Sequence, residues 1–124
     1  MNRTRKGNYY RTRTKKWLVR EGYDVVVTEV TQRVTRKDRE TGELSTIFIK
    51  HDLWGADLLA INDERIVAVQ VKANAGDISR GLKELAGAPW SRSRSVEMWC
   101  VHWPARRLMT QGPDVHEVQE EIPF

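Results

Sequence analysis

The sequence predicts one α/β domain, a mixed β-sheet of about five strands flanked by helices. Two adjoining segments, 57–61 and 65–72, are mostly apolar on both faces, as central strands of a doubly covered sheet are. Apolar residues at helical spacing come before and after the strand-like region. A length of 124 residues allows one sizeable core and not two, so 1–124 is read as a single domain.

Residues 1–7 read as a basic N-terminal arm. A helix is predicted from Asn8, where Tyr10, Thr14, Trp17, Leu18 and Glu21 recur at helical spacing and Gly22 follows as a stop. Tyr23 to Val34 is rich in β-branched residues and predicts one long strand. Arg36 to Glu43 is polar, with Thr41-Gly42 as a turn, and Leu44 to Lys50 predicts a strand folding back as a hairpin. A connector over 51–56 leads to strands at Asp57–Ile61 and Arg65–Lys72, joined by the turn Asn62-Asp63-Glu64. A second helix starts near Asp77, runs through Ile78, Leu82, Leu85 and Ala86, and ends at Gly87-Ala88-Pro89. Val96 to Trp103 predicts a further strand. In the tail, Leu108–Thr110 and Val115–Ile122 read as a short hairpin bent at Gly112-Pro113.

Net charge is +4, but its placement says more than the total. Residues 1–20 carry eight cations (Arg3, Arg5, Lys6, Arg11, Arg13, Lys15, Lys16, Arg20) and no acid, leaving 13 basic and 17 acidic residues beyond them. A basic segment of this kind attracts phosphates by Coulomb forces and counterion release. No apolar run approaches the ~20 residues that span a membrane, and no apolar stretch follows the basic N-terminus, so a cytoplasmic protein is expected. One cysteine, Cys100, excludes an internal disulfide and a cysteine-rich zinc site, and its apolar neighbours read as a buried thiol.

The chemistry-bearing pattern is Asp57, twelve residues, then Gln70-Val71-Lys72. On one strand Gln70 and Lys72 share a face, about 7 Å apart. Asp57 opens the neighbouring strand, so three polar groups converge on apolar strands, where leaving them unpaired is costly. Phosphodiester hydrolysis gives them a use. It needs a hard cation, and Mg²⁺ prefers oxygen ligands and keeps several waters. Asp57 offers a carboxylate, Gln70 an amide oxygen and Val71 a backbone carbonyl. Lys72 can hold water and offset charge on the phosphorus.

These residues resemble the PD-(D/E)XK nuclease superfamily, and within it the archaeal-type Holliday junction resolvases and their phage relatives. The resemblance runs over roughly residues 6–80. It rests on Lys6-Gly7, Gly22-Tyr23, Asp52-Leu53-Trp54-Gly55-Ala56-Asp57-Leu58-Leu59-Ala60-Ile61 and Val69-Gln70-Val71-Lys72. It implies a restriction-endonuclease-like fold and a homodimer that uses Mg²⁺, with Mn²⁺ as a substitute, to nick branched DNA symmetrically at a four-way junction. Asp57 matches the motif aspartate and Lys72 the motif lysine. Gln70 stands where the family usually has Glu. The family's helix-1 glutamate is also missing, its place falling near Arg11. Glu29, on the face of Val25 and Val27, and Asp52, in the loop before Asp57, are the acids expected to supply the lost charge as further ligands. Arg3, Arg5, Lys6, Arg11, Arg13, Lys15 and Lys16 are expected to hold the DNA. No small-molecule cofactor and no membrane partner is expected.

Other readings stay open on the same residues: a flap, mismatch or restriction-type nuclease, or a non-catalytic nucleic-acid-binding module. His51, His102 and His116 show no metal-binding spacing. Trp17, Trp99 and Trp103 fit core or interface positions, whereas Trp54 and Trp90 fall in loops where a base could stack.

Overall fold

The computed structural model describes residues 3–28, 30–105 and 111–119. A five-stranded mixed sheet carries one helix packed on each face, as the sequence predicts. Helix α1 (Arg3–Arg20) is followed by strand β1 (Asp24–Val27) and by a hairpin of β2 (Val30–Lys37) and β3 (Leu44–His51). Strands β4 (Leu58–Ile61) and β5 (Ile66–Lys72), helix α2 (Ile78–Ala86), and strands β6 (Val96–His102) and β7 (Asp114–Glu117) complete the order. The main sheet runs β1-β4-β5-β6-β7, while β2 and β3 form a separate two-stranded sheet. Among the described residues only β5 and β6 pair in parallel. A parallel pair needs a crossover, and α2 supplies it.

Alternation along the central strands divides the core. Val67, Val69, Leu58 and Ala60 face α1, where Leu18, Tyr23, Trp99, Val101 and Trp103 join them. Ala68 faces α2, with Ala56 and Leu85. Gln70 and Lys72, in step with Ala68, therefore lie on the α2 face. Helix α1 is fastened by more than its apolar stripe: Trp103 Nε1–H donates to Thr14 Oγ1 at 2.9 Å, and Thr14 Oγ1–H donates to Tyr10 O at 2.7 Å.

Three expectations change, and a fourth falls partly outside the described residues. The backbone from Arg3 to Gly7 is helical, the first turns of α1 and not a separate arm. The single strand expected over Tyr23–Val34 is two, because β1 pairs with β4 and β2 leaves the main sheet to pair with β3. Both pieces have the same β-branched composition, so propensity could not mark the break. The strand expected from Asp57 begins at Leu58. In the tail, β7 pairs antiparallel with β6, and 108–110 lies outside the described residues, as do 106–107 and 120–124.

Candidate active site

The β4–β5 register sets Leu58 opposite Val69, and one step further places Asp57 beside Gln70. Backbone bonds hold Asp57 at this place: its N–H donates to Val69 O at 2.8 Å and its carbonyl accepts from Thr28 N–H at 3.0 Å. Its carboxylate turns across β5, where Oδ2 accepts the Val71 N–H at 2.8 Å. The Val71 amide is thus engaged by the carboxylate.

Gln70 is the buried group of the cluster, 1% exposed. Its Nε2 donates to Glu84 Oε2 on α2 at 2.8 Å. That bond fixes which end of the amide is which, because a flipped amide would set two acceptors against each other. The other end, Oε1, is buried and takes no hydrogen bond from the described residues. Lys72 sits two residues on, half-buried on the same face. Gly81 of α2 closes over both: a Cβ there would fall 2.4 Å from Gln70 Oε1, 3.1 Å from Lys72 Cε and 3.1 Å from Cys100 Sγ.

The loop before Asp57 is the other wall. Leu53 and Ala56 exchange backbone bonds of 3.1 and 2.9 Å around Trp54-Gly55, whose φ angles are 49° and 82°. Two positive φ values make this the tight hairpin turn that matches strand twist. Asp52 Oδ1 accepts the Gly55 N–H at 3.2 Å, so this carboxylate braces its own loop while standing close enough to act on Asp57. Gly55 approaches α2, since a Cβ on it would meet Glu84 Cβ at 3.6 Å. Trp54 is held by Trp90, whose Nε1–H donates to Trp54 O at 3.1 Å.

Burial is the main cause that raises the Asp57 pKa above its ordinary value. The Val71 amide opposes it, the Asp52 carboxylate adds to it, and the Arg11 and Lys72 cations lower it. Burial also pushes the Cys100 thiol up to about 11, with Lys72 opposing and Asp57 and Glu84 adding. Cys100 is therefore a neutral neighbour of the cluster and no nucleophile near neutral pH.

Asp57, Gln70, Lys72 and Asp52 thus come together. Glu29 lies outside the described residues, and among those described no group of three His, Cys, Asp or Glu side chains could hold a metal ion. The oxygen donors on residues that the β4–β5 register makes neighbours are a carboxylate and an amide oxygen with no hydrogen bond from the described residues. They fit a hard cation such as Mg²⁺, which takes one or two protein oxygens and completes its shell with water and phosphate. The sequence reading missed Glu84, which orients Gln70. Its one signal is Gly81, because a mid-helix glycine costs about 1 kcal/mol against alanine and so marks a close approach.

Among the expected DNA-binding residues, Lys15 and Lys16 are exposed on α1 beside Arg20. Arg11 is half-buried, donates to Asn8 Oδ1 and acts on Asp57, whereas the Arg13 guanidinium lies 4.1 Å over the Trp103 ring. Arg3, Arg5 and Lys6 fall in the first turns of α1, and their side chains are not among those described. No helix among the described residues is long and apolar enough to cross a membrane. Comparison of the chain with protein-family models, curated proteins and solved structures gave no match.

Proposed function

We propose that the chain is a metal-dependent DNA endonuclease of PD-(D/E)XK type that cuts branched DNA, the four-way junction being its expected substrate. One observation carries this reading: the buried, unpartnered Oε1 of Gln70, aligned by Glu84 and set beside the desolvated carboxylate of Asp57. An unmet buried acceptor costs about 1–3 kcal/mol, which a bound ligand would remove. A carboxylate whose pKa is raised by burial, close to a lysine, is a candidate for a functional group.

Asp57 and Gln70 would hold the Mg²⁺ or Mn²⁺, with Glu29 and Asp52 as candidate further ligands. When bound, the cation withdraws charge from the phosphate and makes water a nucleophile near neutral pH. The chain does the rest. The Val71 amide holds the Asp57 carboxylate across β5, and Glu84 takes the Nε2 end of the Gln70 amide, which leaves Oε1, beside Gly81, without a hydrogen bond from the described residues. The Lys72 ammonium donates to the attacking water or to a phosphate oxygen and offsets the charge that develops on phosphorus. Exposed Lys15, Lys16 and Arg20 draw DNA toward α1, and the attraction weakens steeply with salt. Two copies of the chain would place two such sites for paired nicks.

The test is cleavage of a synthetic four-way junction with Mg²⁺, set beside flap and linear substrates. Asp57→Ala and Lys72→Ala should each cut at least ~100-fold more slowly than the unmodified protein, on the scale of losing a positioned catalytic group. Cutting at the unmodified rate by either variant refutes the assignment. That no group of three His, Cys, Asp or Glu side chains among the described residues could hold a metal ion favours one rival, a DNA-binding domain without activity. Junction binding with no cleavage at any Mg²⁺ or Mn²⁺ concentration would establish that rival.

A further inference from the structure

The β2–β3 ribbon stands outside the main sheet, and residues 31–48 are exposed on both its faces except for the half-buried Val34. Two-stranded hairpins are marginal in water unless something covers them. This one nonetheless leaves Phe48 67% and Leu44 71% exposed. Cross-strand partners share a face, so one face carries Arg33 with Phe48, Thr35 with Thr46, and Lys37 with Leu44. Neither strand contains an acid. The three acids of the hairpin, Asp38, Glu40 and Glu43, lie in the connecting loop, where Asp38 Oδ1 accepts the Glu40 and Thr41 N–H groups.

An exposed aromatic directly across from one cation, Arg33, with a second cation, Lys37, about 13 Å further along the strand, suits a partner that offers a flat apolar surface next to a line of anions. Nucleic acid has that chemistry: cations take the phosphates, and an aromatic stacks on a base. A second copy of this chain fits less well, since pairing this face with itself would set Arg33 and Lys37 against their own kind.

We propose that this ribbon face is a second DNA contact, in which Phe48 stacks on a base left open at a branch point, Arg33 takes the phosphate next to it and Lys37 a phosphate further along the strand. The proposal rests on the nuclease reading for its choice of branched DNA. It adds a contact on a sheet separate from the one that carries Asp57, Gln70 and Lys72.

The experiment measures binding by fluorescence anisotropy, in EDTA so that nothing is cut, on a labelled four-way junction and a linear duplex of matching sequence, across a salt series. Phe48→Ala should weaken junction binding about 10-fold and duplex binding less than twofold, with the salt slope unchanged, and Phe48→Trp should restore the affinity. Arg33→Gln with Lys37→Gln should lower the slope by about two, near 0.9 for each cation. Junction binding by Phe48→Ala within twofold of the unmodified protein overturns the contact. So does an equal loss on both substrates, or a fall in the mass of the DNA-free protein in sedimentation, which would make the face a contact between copies. Junction cutting that persists while Phe48→Ala binds normally removes the ribbon contact alone. Phe48-dependent binding without cutting in Mg²⁺ removes the nuclease reading alone.

Discussion

At the scale of single residues, Asp57 is held against its own preference. Burial favours its neutral form in the folded protein, so its folded pKa stands above the unfolded value near 3.8. The folded state then binds more protons than the unfolded one between those two values, and stability falls as pH rises through that window. Above the window the destabilisation is complete; below about pH 3.8 it vanishes. Asp57→Asn keeps an oxygen for the Val71 amide and removes the charge. In EDTA at pH 7 this variant should therefore melt at a higher temperature than the unmodified protein, and the gain should disappear on acidification past the unfolded value. Thermal melts at a series of pH values check this, and a variant that melts lower at pH 7 contradicts it. Asp57, Gln70 and Lys72 were legible in the sequence because polar side chains at period two interrupt apolar strands. Glu84 was not, because an acid on an amphipathic helix looks like any solvated one until the fold sets it against Gln70.

At the scale of elements, α2 is the lid of the site, and Gly81 sets its height. Alanine at this position should raise helix propensity by about 1 kcal/mol. Its Cβ would fall 2.4 Å from Gln70 Oε1, so the helix or the amide must move. Gly81→Ala is expected to lower stability by about 1–3 kcal/mol, the usual cost of overpacking, and to slow junction cleavage. Urea unfolding gives the sign directly, and a stabilised Gly81→Ala would show that α2 has room. The strand pattern of β4, β5 and β6 was readable because central strands are apolar and bounded by turns. The division of 23–37 into β1 and β2 was not, because one strand leaving a sheet for another partner changes neither composition nor alternation. The helical start at Arg3 escaped for a related reason: a run of Arg, Lys and Thr carries no apolar periodicity, although Arg and Lys are good helix formers.

At the scale of the molecule, the chain sorts its charge by position. Cations occupy the exposed side of α1 and both strands of the ribbon, while the acids nearest the site are Asp52, Asp57 and Glu84. This layout suits a polyanion drawn in by the first set and a small cation held by the second. The most direct test of the account is a calorimetric titration of Mn²⁺ into the Lys72→Ala variant bound to a four-way junction, beside the same complex carrying Asp57→Asn as well. Saturable uptake by the first and none above the DNA background by the second is the predicted result. Equal uptake by both, or none by either, would contradict the claim that the oxygens of Asp57 and Gln70 receive a divalent ion.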